Sequence, residues 1–198
     1  AAESARPHFA GIDRCDSVVI DPHKWLFAPF DCCALLYRQP EVARLAHTQH
    51  ASYLDPINSG SEWNPTDYGH FLTRRARGLP FWFSLAVHGT RAYSEAVERT
   101  LEVTLAGAEL LDTAPHVELI MDPVLSVLAF RRVGWEQADY DLWSARLMED
   151  GTAFVVPTRV DGEPALRICI VNPLPPVDDI AVDPEDFAVR EAEWEDHI

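Results

Sequence analysis

The chain has 198 residues, with 16 basic and 32 acidic side chains and a formal charge of −16 at neutral pH. An isoelectric point near 4.7 and the lack of a basic block argue against a nucleic-acid surface. No apolar run approaches the roughly 18–20 residues that span a bilayer, and a hydrophobic content of 47% excludes wholesale disorder.

One count stands out. Lys24 is the only lysine, where ordinary usage gives about ten in a chain of this length. A compositional bias toward arginine removes replaceable lysines but does not explain why one is kept. The length fits one domain or a large piece of a bigger protein. The first residues lack an initiator Met and the basic-then-apolar order of a signal peptide, so the sequence is expected to start inside a longer, cytoplasmic protein. Cysteines stand at 15, 32, 33 and 169, without a CxxC pair for zinc and with poor geometry for a Cys32–Cys33 disulfide. They read as buried free thiols in a reducing compartment, with no metal.

In chain order, residues 17–21 and 32–37 read as two short buried strands, joined by the tight connection that carries Lys24. A lysine between two buried strands is expected to point inward. A short helix is expected over 41–47, and the turn-rich stretch 53–69 reads as a long loop. Residues 81–112 carry apolar side chains at helical spacing (Leu85, Tyr93, Val97, Leu101, Leu105, Ala108) and predict one long connecting helix that tolerates Gly89. Beyond Pro115 the period changes, predicting strands over 117–121, 125–131, 152–156 and 166–171 with a helix over 137–149 capped by Gly151. This β-β-α-β-β order describes a small antiparallel α/β sandwich. The acidic tail from Val177 contains Pro184, which argues against a long terminal helix.

Desolvation disfavours an ammonium ion, so a lysine held between buried strands is suited to act as a neutral nucleophile toward a carbonyl. His23 can donate to a phosphate or relay a proton, Asp21 can accept hydrogen bonds, and Phe30 or Trp25 can pack beside a planar ring. A structural lysine, half-exposed along its stem, fits these residues as well.

The run Asp16-Ser17-Val18-Val19-Ile20-Asp21-Pro22-His23-Lys24-Trp25-Leu26, followed by Phe30-Asp31-Cys32, resembles the lysine signature of the group II pyridoxal-phosphate-dependent amino-acid decarboxylases. That family includes aromatic-L-amino-acid, histidine, glutamate and 2,4-diaminobutyrate decarboxylases. The similarity runs on through Arg74-Arg75-Ala76-Arg77 and Phe81-Trp82-Phe83 into the C-terminal region.

The resemblance implies an α/β fold of the PLP-dependent transferase type (fold type I). Residues 1–78 would end the large cofactor domain, 79–112 would form a connector helix, and 113–198 would form the small C-terminal domain. It implies that Lys24 is the internal-aldimine lysine and that His23 contacts the cofactor phosphate near the reacting substrate. Asp21 falls where many relatives have a phosphate-binding Asn, although an acid there repels a dianion unless protonated or turned away. Phe30 would line the substrate pocket. Tyr53 matches a tyrosine of the mobile catalytic loop that protonates the α-carbon; relatives with Phe there tend toward aldehyde formation. The implied reaction is decarboxylation of an L-amino acid to its amine and CO2 in a homodimer. The family's Asp for the pyridine nitrogen and its ring-stacking His have no counterpart before Ser17, so the N-terminal half of a complete enzyme is expected to be missing.

Other readings stay open: a non-catalytic fragment or interaction module, or another fold-type-I enzyme such as a transaminase. His47 and His50 lack the accompanying Glu of a helical zinc motif and read as solvated. Arg74, Arg75 and Arg77 read as anchors for acidic neighbours, and His88 as a core histidine.

Overall fold

The computed structural model describes residues 2–53, 63–151 and 153–174. The chain divides into two compact units: Phe9–Thr90 forms one, and Ala1–His8 with the residues from Arg91 onward forms the other.

In the first unit, β1 (Ser17–Ile20) and β2 (Ala34–Tyr37) pair antiparallel, with Ser17 opposite Tyr37 and Ile20 opposite Ala34. Beyond the register, the Arg38 N–H donates to the Asp16 carbonyl at 2.9 Å, and its guanidinium donates to the carbonyls of Cys15 and Asp13. Between the strands, Pro22 occupies the first position of the one-turn helix α1 (Pro22–Trp25), where its missing N–H costs nothing.

The strands form where the apolar runs predict them, but they are not buried. Val19 is 62% exposed, and Leu35 and Leu36 are exposed as well. Among the described residues this sheet has two strands only, so within this chain no second layer covers the apolar alternation. Of the four cysteines, all are free, but Cys32 alone is buried.

Helix α2 (Pro40–His47) buries Ala43 and carries Arg44, whose Nε donates to the buried Asp67 carboxylate at 2.9 Å. Asp67 lies on a 3-10 turn, Pro65–Tyr68, capped by the Asn64 side chain accepting from the Thr66 N–H. This turn falls inside the stretch expected to be all loop; residues 54–62 of that stretch lie outside the described residues.

Helix α3 (Gly78–Thr113) has the predicted extent but is not continuous. Gly89 sits at φ 76°, ψ 160°, a conformation essentially confined to glycine, and it splits the helix in two. The expectation that the pattern tolerates Gly89 is therefore overturned. His88 beside the break is exposed, so it is not a core histidine.

The second unit is built on a four-stranded antiparallel sheet in the order β3-β4-β6-β5. Its strands are β3 (Val117–Leu119), β4 (Val127–Arg132), β5 (Pro157–Val160) and β6 (Glu163–Cys169), with α4 (Gln137–Glu149) inserted after β4. One apolar cluster joins α3 (Val103, Leu111), the sheet (Leu128, Phe130, Leu166) and α4 (Tyr140, Trp143, Leu147). Thr100 and Thr104 are fully buried within α3. Their hydroxyls donate to the Val97 and Thr100 carbonyls, so neither burial leaves an orphan. The Ser4 N–H and hydroxyl both reach Glu98, fastening the first residues to this helix.

The helix over 137–149 ends as predicted, with Gly151 at φ 70° donating its N–H to the Met148 carbonyl. The strand expected over 152–156 lies instead at 157–160. The Asp161-Gly162 pair, both at positive φ (53° and 86°), forms the tight turn that sets the β5–β6 register and draws the strand toward it. The acidic tail lies outside the described residues.

Candidate active site

Lys24 lies on α1, between the two exposed strands, and its side chain is 67% exposed. The lysine expected to point inward is thus exposed in this chain, where among the described residues the adjoining sheet has two strands and no covering layer. Three residues back, at the N-cap of α1, the Asp21 carboxylate meets Lys24 Nζ at 2.7 Å. The Cys33 thiol is the second group that acts on the same carboxylate. The Lys24 contact first, and the thiol second, hold the Asp21 carboxyl below the usual carboxylate range. Cys33 responds in the opposite sense, pushed up by loss of water around its sulfur and then by the adjoining carboxylate.

His23 points its Nδ1 at the Cys32 carbonyl, 2.6 Å away. The Cys32 N–H approaches the same nitrogen at 3.3 Å, so the backbone of Cys32 holds the ring by Nδ1, and Nε2 has no part in that contact. The His23 ring also meets Phe30 edge-on, with centroids 5.2 Å apart, while Phe30 itself is 84% exposed.

Asp31 supports this arrangement from the other side of the loop. Its two carboxylate oxygens accept from Arg75 Nη2 at 2.8 Å and Arg77 Nε at 2.9 Å. The Arg77 contact above all holds the Asp31 carboxyl below its ordinary range. The segment that carries Phe30 and the Cys32 carbonyl is thereby pinned, and with it the orientation of His23. The anchoring role expected for the arginines holds for these two, while Arg74 donates to the Pro65 carbonyl. Asp31 and Cys33 have no role in the sequence reading. Asp31 had a signal, an acid inside the lysine motif matched to a distant arginine cluster, whereas Cys33 had none.

Lys24, His23, Asp21 and Phe30 are brought together. Tyr53 is not: it is 69% exposed, and among the described residues no hydrogen bond ties it to Lys24 or His23. His47 ends α2 with Nε2 at 3.0 Å from the Tyr37 hydroxyl and its ring edge-on to His70. It is half-buried rather than solvated. Among the described residues no group of His, Cys, Asp or Glu is placed to hold a metal ion.

A family model described as the pyridoxal-dependent decarboxylase conserved domain matches residues 1–133. The chain belongs to this family. An aromatic-L-amino-acid decarboxylase of Bacillus atrophaeus is 28% identical over 181 residues, spanning 87% of this chain and 38% of the relative. The tryptophan decarboxylase TDC2 of Camptotheca acuminata is 27% identical, spanning 83% of this chain and 35% of the relative. Among solved structures, Oryza sativa TDC with PLP and tryptamine matches with a TM-score of 0.84 at 22% identity, covering 98% of this chain and 42% of that one. The fold is thus the α/β fold of the family, fold type I. The chain spans roughly two fifths of the length of these relatives. Among the described residues no helix is long and apolar enough to cross a membrane.

Proposed function

We propose that this chain is the lysine-bearing and C-terminal part of a pyridoxal-phosphate-dependent carboxy-lyase that converts an L-amino acid to its amine and CO2. The observation that carries the reading is the placement of the sole lysine. Its amine is solvent-accessible, sits on the one-turn helix within the family's motif, and is flanked by an imidazole and an exposed aromatic ring. A primary amine within reach, a ring nitrogen beside it and an aromatic wall suit an aldehyde-bearing, phosphorylated planar cofactor. Bound there, pyridoxal phosphate would supply the electron sink that lets the carboxylate carbon leave.

The chain's own residues have distinct tasks in this reading. Lys24 is the covalent anchor, and its amine must be freed for substrate to enter. His23 offers Nε2 toward the phosphate and the reacting atoms; as imidazolium it donates there, and as the neutral ring it accepts. Phe30 forms a wall of the substrate pocket. Tyr53 delivers the proton that replaces the lost carboxylate, which requires the loop that bears it to approach Lys24. Residues 1–78 serve as the end of the cofactor domain, 79–112 as connector and 113–198 as the small domain. The complete enzyme would work as a cytoplasmic homodimer.

Mixing the chain with pyridoxal phosphate tests the reading. A cofactor-dependent visible absorbance that disappears in Lys24→Ala is the expected result. A chain that binds cofactor equally well without Lys24 overturns the assignment, and a chain that binds none supports the reading of a fragment that needs the rest of the enzyme. In the full-length protein, Tyr53→Phe should lower amine production and release aldehyde.

A further inference from the structure

Resting on the reading of Lys24 as the reactive amine, we propose that Asp21 is a positioning residue for that amine rather than a contact for the cofactor phosphate. It is the dock that Lys24 Nζ occupies whenever the nitrogen is not covalently engaged. The geometry points this way from two sides. Asp21 Oδ2 lies 2.7 Å from Nζ, reached from the N-cap position of α1 three residues before Lys24. The backbone sets the same pair together, since the Lys24 N–H donates to the Asp21 carbonyl at 3.0 Å and so holds the start of α1 against Asp21.

Charge arithmetic agrees. A carboxylate held in its ionised form repels a phosphate dianion but complements an ammonium ion at the same distance. The charged or titratable groups near it are Lys24, Cys33 and His23, and the Lys24 ammonium is the one in direct contact. An asparagine in its place would accept a hydrogen bond from the amine without supplying the negative charge. The aspartate therefore retains the freed lysine as an ammonium ion beside the site instead of releasing it to solvent. The proton balance is simple. An amine released from a carbon–nitrogen double bond takes a proton to become the docked ammonium, and it returns that proton to solvent before it attacks again.

The single lysine makes the test unusually clean. In the cofactor-free chain, acylation by trace acetic anhydride at near-neutral pH reports Lys24 alone once the peptide containing it is quantified by mass spectrometry. N-acetyl-lysine amide in the same tube serves as the internal reference. Asp21→Asn is expected to label about two- to five-fold faster than the parent, the range set by an exposed ion pair. Asp21→Glu should restore most of the protection. In the unmutated chain, raising salt from low ionic strength to about 1 M should accelerate Lys24 labelling relative to the reference, because an exposed pair is screened. That measurement does not depend on any variant folding.

Equal labelling in the parent and Asp21→Asn, with no salt dependence in the parent, overturns the proposal. Because cofactor is absent from the assay, this outcome is independent of whether Lys24 anchors pyridoxal phosphate. A failure of the decarboxylase reading appears only in the absorbance experiment with Lys24→Ala.

Discussion

Tyr140→Phe removes one oxygen atom from the core of the second unit and changes nothing else in shape. Tyr140 is 1% exposed on α4, with its ring edge-on to Trp135 at 5.3 Å between centroids. Its hydroxyl accepts from the Arg132 N–H at 3.0 Å and donates to the Arg132 carbonyl at 3.2 Å. One side chain thus satisfies both backbone groups of the last residue of β4, where Arg132 is itself buried. Phenylalanine fills the same volume, so the variant leaves no cavity and keeps the packing contribution. What it loses is the partner of the Arg132 N–H, since the Arg132 carbonyl also accepts from the Trp135 N–H at 3.2 Å, and leaving one such buried group unmet costs about 1–3 kcal/mol. That is roughly a five- to more than hundred-fold shift in the folding equilibrium. The assay is urea unfolding of the whole chain by tryptophan fluorescence, expecting a lower midpoint with an unchanged slope. Tyr53→Phe is the control, since a hydroxyl on an exposed ring should change stability by less than about 0.5 kcal/mol. If the two variants unfold at the same denaturant concentration, the claim that the Tyr140 hydroxyl terminates β4 is refuted.

Arg44→Ala strips the charge partner from Asp67, whose side chain is 2% exposed. The expected loss is about 2–4 kcal/mol, below the fully buried figure because Arg44 is partly solvated, and is read by the same unfolding assay. Gly89→Ala is expected to destabilise by about 1–3 kcal/mol, because alanine must adopt φ near 76°. If α3 were continuous in solution, the same change would stabilise the chain by about 1 kcal/mol, so the sign alone decides. Asp31, with its carboxyl held low by Arg77 and Arg75, contributes stability that is present above the unfolded value near 4. That contribution is lost as pH falls through the lower folded value. Stability measured against pH should therefore separate the parent from Asp31→Asn at neutral pH and bring them together in acid. A gap that persists in strong acid would contradict the clamp.

The sequence alone determined the chemistry-bearing segment and much of the small unit. A single lysine inside Asp21-Pro22-His23-Lys24-Trp25, followed by Phe30-Asp31-Cys32, is a local pattern, and local patterns survive without knowledge of the rest of the fold. For the same reason the α4 boundaries and its Gly151 cap were legible: helix period and capping depend on residues within a turn or two of each other. The β5 strand was misplaced because the Asp161-Gly162 turn, although local, was outweighed by an apolar run just before it.

Only the tertiary structure decided which apolar residues are covered and which polar groups meet. Alternation in β1 and β2 specifies strands, yet burial requires a second layer, and this sheet has none among the described residues. Gly89 reads as a tolerated helical glycine because its cost there is small; its actual φ depends on the geometry of the whole helix. The pairing of Asp31 with Arg75 and Arg77 spans more than forty residues of chain. Asp21 shows the division most clearly: its identity is plain in the motif, but its contact with Lys24 at 2.7 Å is a matter of distance, which a one-dimensional pattern does not contain.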